Sequence, residues 1–213
     1  GGAFLLLIAI VIFIGIRLPL LTHEGRVRGV NSDTAIHGLM GEQILQGSFP
    51  IFFWRQNYLG PLTAAVSAVI SLATDRVLAI RLAGMFEVLG GIILYWWGLR
   101  RIDPRIASGA ALILAIGSPS LLRMSVSPIG HEMAFLMSAA IFALVMRDAP
   151  PLLIGAVAGL GWWMNQQVVF TLVAAAAVTL LRSRFSGRAI GLFAAGFAAG
   201  YSPVWVGRIF GWY

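Results

Sequence analysis

Seven apolar runs are what this chain has to accommodate, at about 3–21, 77–99, 106–122, 133–145, 152–163, 168–181 and 189–205. A crossing of the hydrocarbon core needs about 20 predominantly apolar residues, and several of these runs approach or reach that length. Of the 213 residues, 59% are hydrophobic and only 11% charged, against roughly 25% charged in soluble globular chains. An ordinary soluble domain, a disordered tail and a secreted disulfide scaffold are all excluded, the last also by the absence of cysteine. The expectation is an all-α polytopic membrane protein of about seven spans, forming one module over 1–213. Its first span is 3–21, an outer loop with short interfacial helices covers 22–76, and the remaining spans occupy 77–205.

Charge placement supplies the orientation. The net charge is +7 and every cationic residue is arginine. Most of these residues lie between apolar runs or in one long loop, not in a stripe with interleaved aromatics, so they read as topology signals and lipid-phosphate contacts and not as a nucleic-acid surface. The connectors at 100–105, 147–151 and 182–188 are short and Arg-dense, and the positive-inside rule makes them cytoplasmic. The outer side then receives 22–76, 123–132 and the break at Asn165, Gln166 and Gln167. Arg17, near the end of the first run, is expected to snorkel to the interface. That run is long, lacks a small-residue cleavage site and has no basic segment before it, so it reads as an uncleaved helix and not a signal peptide. The chain starts on Gly and not Met, which reads as a fragment, a processed product or a trimmed chain.

Polar residues at membrane depth are costly and mark sites, and here they gather on the outer side. Asn31, Ser32, Asp33 and Thr34 open a helix expected to run to about Gln46 and end at Gly47. Asp33 is either a capping carboxylate accepting backbone N–H bonds or a general base, with His37 one turn further on the same face. Glu42 lies on the same helix. His131 and Glu132 precede a span, where a carboxylate suits the positive end of the helix dipole. With Asp33, His37 and Glu24 they are alternatively ligands for a divalent metal. The segment from Phe49 to Pro61 interleaves aromatics with Arg55, Gln56 and Tyr58. Such a segment anchors at the interface and also suits a sugar ring and a phosphate, which arginine binds through two parallel hydrogen bonds. Arg123 offers a second guanidinium, and Asn165 and Gln166 offer amides to sugar hydroxyls or simply form a loop tip.

The pattern Asp33-x-x-x-His37-Gly38, then Ile44-Leu45-x-Gly47-x-x-Pro50, then Trp54-Arg55-Gln56-Asn57-Tyr58-x-Gly60-Pro61-Leu62, follows an apolar first helix. It resembles the integral-membrane glycosyltransferases of the GT-C superfamily, in the bacterial form of the branch holding the dolichyl-phosphate-mannose protein mannosyltransferases and the aminoarabinose transferase. Arg81-Leu82-Ala83-Gly84 leading to Tyr95, and Gly159-Leu160-Gly161-Trp162-Trp163, are similar to later elements of the same family. The resemblance implies transfer of a sugar from a polyprenyl-phosphate carrier to a protein, lipid or glycan acceptor at the outer face of a bacterial plasma membrane. It implies Asp33 as the catalytic carboxylate, with His131 and Glu132 in the loop that adds a second polar group. Relatives carry an acidic pair or a Lys-Pro-Pro-like or His-Pro-Pro-like element where this chain has Gly60-Pro61-Leu62, and they have more spans, so the chain reads as an N-terminal module or a fragment. The rival readings are a flippase or transporter of lipid-linked sugars, which commonly shows internal repeats not evident here, and a non-catalytic scaffold packed through small-residue runs such as Ala194 to Gly200.

Overall fold

In a computed structural model, residues 2–21, 31–54, 56 and 59–210 are described. They form eleven α-helices and no strand: α1 Gly2–Arg17, α2 Ser32–Leu45, α3 Leu62–Ser71, α4 Arg76–Leu99, α5 Pro104–Ile116, α6 Pro119–Val126, α7 His131–Met146, α8 Pro151–Met164, α9 Val169–Arg182, α10 Gly187–Gly200 and α11 Ser202–Phe210. The all-α expectation therefore holds for these residues. Two helical stretches, Gly2–Leu21 and Arg76–Leu99, are long and apolar enough to cross a membrane, or four if each bent pair is one span. The pairs are α5 with α6, bent by 70°, and α10 with α11, bent by 47°. The expected run 106–122 is thus broken where Ser118 caps α6 through Leu121 N at 3.2 Å and Pro119 opens it. Proline is tolerated in a first helical turn but cannot continue the helix behind it.

The boundaries are written locally. Asp75 and Asp103 accept backbone N–H bonds at the starts of α4 and α5, and Pro104 and Pro151 occupy first turns. Each cap satisfies donors that the helix itself leaves unpaired, worth about 1 kcal/mol.

Direction alternates along the chain. Gly2 lies beside Pro104 and Arg17 beside Gly117, so α1 and α5 run parallel. Gly91 meets Phe135 and Gly98 meets Ala143, so α4 and α7 run parallel. Gly155 and Gly159 lie against the backbone of Phe193 and Phe197, while Gly196 and Gly200 lie against that of Leu152 and Ala156. A Cβ at any of these four positions would land on a carbonyl oxygen, and their four-residue spacing lets α8 and α10 approach backbone to backbone. The connectors meet at one end, where Asp148 pairs with Arg101 at 3.2 Å and Arg182 at 2.7 Å. Arg100 and Arg147 lie over the rings of Trp96 and Trp97 at the same end. The helices α1, α5, α8 and α10 begin there and α4, α7 and α9 finish there.

Arg17 does not snorkel. It is fully buried, with Nε donating to Ser125 Oγ at 2.8 Å, Nη1 donating to Ala115 O at 2.8 Å, and the guanidinium 3.7 Å from the Phe13 ring centroid. It sits at the carbonyl ends of both α1 and α5, whose dipoles favour a cation. Apolar side chains such as Phe4, Val11, Val69, Ile113 and Phe170 remain exposed on the outside, an arrangement that costs free energy in water and none in lipid.

Candidate functional site

At the end opposite Asp148, four chain segments distant in sequence are tied by hydrogen bonds. Asn31 caps α2 by accepting from Thr34 N at 2.8 Å. Thr34 Oγ1 donates to Pro128 O at 3.0 Å, and Asn31 Nδ2 donates to Ser127 Oγ at 3.4 Å. The start of α2 is therefore fixed to the loop that leads into α7. That loop is held in turn by Glu132, which accepts from Ile129 N at 3.1 Å and Gly130 N at 2.8 Å. Gly130 has φ +97°, and a Cβ there would press on Leu59, so only glycine supplies this turn without strain. Its carbonyl accepts from Asn165 Nδ2 at 2.8 Å. Asn165 also pairs with Leu59 in an isolated antiparallel bridge, and Gly60 N donates to Met164 O at 2.8 Å. Trp163 Nε1 donates to Ile51 O at 2.8 Å. Segments 31–34, 51–54, 59–60, 127–132 and 163–166 are thereby joined against a hydrophobic layer that includes Met40, Phe53, Met133 and Trp163.

The predicted site residues fall into distinct roles. Asp33 lies in the first turn of α2 but does not cap it, because Asn31 takes that place. Its carboxylate is half-buried and makes no hydrogen bond or ion pair among the described residues. His37, one turn deeper, is fully buried, with the Phe53 ring centroid 4.7 Å away and no hydrogen-bond partner on either ring nitrogen. Burial pushes its imidazole down to about 4, so it is neutral at physiological pH. His131, Arg123 and Gln166 are exposed around the same end, and Gln56 is half-buried. Arg55 and Tyr58 lie outside the described residues, as does Glu24.

Three of the predicted residues have partners within the protein itself. Glu132 is fully buried and its oxygens are committed to Ile129, Gly130 and Thr63, so it organises the loop and does not face a substrate. Asn165 is also buried, its Oδ1 accepting from Gln167 N at 2.8 Å while its Nδ2 donates to Gly130 O, so its amide is turned into the protein and away from solvent. Glu42 pairs with Arg76 at 2.8 Å, across the mouth of a shallow cleft between α2, α3 and α4. Among the described residues no group of three His, Cys, Asp or Glu side chains is placed to hold a metal ion.

Two further residues join this layer from outside the predicted set. Thr63 Oγ1 lies 2.9 Å from Glu87 Oε2 and 3.2 Å from Glu132 Oε1, and all three side chains are buried. An acid in the middle of the 24-residue apolar helix α4 is a signal the sequence carries, since such a group is expected to have a partner or a function. Its partners come from α3 and α7, which periodicity does not identify. The chain matches no known family model, no curated protein and no solved structure.

Proposed function

We propose that this chain is the transmembrane module of a glycosyltransferase that moves a sugar from a polyprenyl-phosphate donor to a protein, lipid or glycan acceptor. In this reading it sits in a bacterial plasma membrane with the Asp33 end outward. The gathered runs make about seven crossings. The helices α7 to α10 have 14 to 16 residues, a length of roughly 21 to 24 Å at 1.5 Å per residue, so they cross where the bilayer thins around them.

The observation that carries the reading is the state of Asp33: a carboxylate on an anchored helix end, relieved of capping by Asn31 and without a partner among the described residues. The resemblance of the surrounding sequence to GT-C enzymes gives that carboxylate its role. The acceptor hydroxyl attacks the anomeric carbon of the donor, and Asp33 takes the hydroxyl proton. The bond from the anomeric carbon to the phosphate oxygen breaks, and its electron pair leaves on the polyprenyl phosphate. Exposed Arg123 is on the helix preceding the tied loop, from which a guanidinium can meet the phosphate charge. Neutral His37 lies beneath Asp33 and adds no charge to the site.

The test is sugar transfer from a panel of polyprenyl-phosphate sugars by the full-length protein in nanodiscs, with Asp33→Asn beside wild type. The expected result is turnover in the wild type, falling at least about a hundredfold in the variant while donor binding persists. Turnover unchanged by the substitution would remove Asp33 from the chemistry. No turnover with any donor, although donor binds, would favour a carrier of lipid-linked sugars.

A further inference from the structure

The contact between Thr63 and the two buried acids carries an inference independent of sugar transfer. A threonine hydroxyl has one hydrogen to donate and two lone pairs to accept with. Thr63 Oγ1 is within hydrogen-bond distance of both Glu87 Oε2 and Glu132 Oε1, so both contacts are hydrogen bonds only if one carboxyl donates. Glu132 is poorly suited to donate: Oε1 already accepts from Gly130 N and Oε2 from Ile129 N. Glu87 has no such partners. Its Oε1 is buried without any hydrogen bond, and the residue is 3% exposed. An ionised carboxylate with one oxygen left dry is far costlier than a neutral acid in the same place.

We propose that Glu87, Thr63 and Glu132 form a binding site for one proton, carried on Glu87 Oε2, with Glu87 donating to Thr63 and Thr63 donating to Glu132. The chain of bonds ties the middle of α4, through the start of α3, to the loop that positions the start of α2. Withdrawal of the proton leaves two anions sharing one hydroxyl hydrogen, so the link between α4 and the tied loop weakens.

Among the described residues, no cation lies beside the two acids to replace the proton. From α7 the other titratable group near this level is His131, which is exposed, and α3 has none. From α2 come His37, neutral and buried, and half-buried Asp33 one turn before it, neither of which is a cation. From α6 comes exposed Arg123, and Arg105 of α5 is also exposed. From α1 comes Arg17, held by Ser125 and two carbonyls. Arg81, six residues before Glu87 on α4, donates to Leu20 O at 2.9 Å.

The test is infrared spectroscopy of the full chain in an ester-free detergent, in water and in heavy water, from pH 6 to 9. The expected spectrum at neutral pH shows the C=O stretching band of a protonated carboxyl that shifts in heavy water and is lost in Glu87→Gln. Thr63→Val keeps the band and moves it to higher frequency, because the acid loses its acceptor. A wild-type spectrum without that band at neutral pH overturns the proposal, and this arm needs no variant to fold. A band retained in Glu87→Gln, or one abolished by sodium, overturns it as well.

Discussion

Where the connectors meet, Asp148 is held by Arg101 and Arg182 with every partner about half exposed; at the opposite end, Glu132, Thr63, Asn165 and Thr34 make their hydrogen bonds almost entirely out of contact with solvent. The first end uses charges that water also solvates, so each pair contributes about 1 kcal/mol or less. At the second end, removing one partner strands another polar group in an apolar layer, which costs more than the bond was worth. Exposed charge and structural importance therefore separate: the ion-paired end can lose its pairs at little cost, and the buried hydrogen bonds of the other end fix the chain. The difference also bears on where candidate chemistry can sit, because the second end joins its distant segments through buried hydrogen bonds and the first joins its own through exposed ion pairs.

Four substitutions or conditions bear on that contrast. Glu132→Ala strands Ile129 N, Gly130 N and the Thr63 hydroxyl, and is expected to destabilise the protein by roughly 4 kcal/mol, read as thermal unfolding by tryptophan fluorescence in detergent. Acid acts at the same end. His37 is held at about 4 against an ordinary 6.5, so the unfolded chain binds more protons between those values. The stabilisation is complete above 6.5 and is lost as pH falls towards 4, at up to about 1.4 kcal/mol per pH unit. Denaturant titrations at pH 7, 6 and 5 check the slope, and His37→Gln should flatten it.

Asn165→Ala leaves the Gly130 carbonyl and Gln167 N without partners and should cost about 2 kcal/mol. Hydrogen exchange at 127–132 would report it, with faster exchange there than at 147–150. At the Arg-rich end, Asp148→Asn should cost less than about 1 kcal/mol, and high salt should erase most of the difference. If Asp148→Asn proved as damaging as Glu132→Ala, the contrast between the ends would fail.

Much of the fold was legible because membrane-like helices are announced by long apolar runs and by arginine, aspartate and proline at their ends. The α2 helix was anticipated to within a residue or two from Asn31 to Thr34 at its start and Gly47 at its end. Less visible was which of four adjacent polar residues would cap it, since Asn and Asp cap about equally well; that choice is tertiary, made where Asn31 also reaches Ser127. Arg17 was misread for a related reason. A cation near a helix end snorkels unless another helix offers carbonyls, and α5 does so from a hundred residues away. Glu132 and Asn165 were correctly drawn to one end but assigned to substrate, because sequence shows polarity without showing whether the protein itself uses it. The Thr63 link between Glu87 and Glu132 needed three helices in place.

The measurement that tests the account most directly uses the absence of cysteine. Single cysteines at Gln166 and Ser186, both exposed and at opposite ends, are probed with a membrane-impermeant maleimide in intact spheroplasts and after permeabilisation. The account predicts labelling of Gln166→Cys from outside and of Ser186→Cys only after permeabilisation. Labelling of both from the same side, or of Ser186→Cys alone in intact cells, would contradict it.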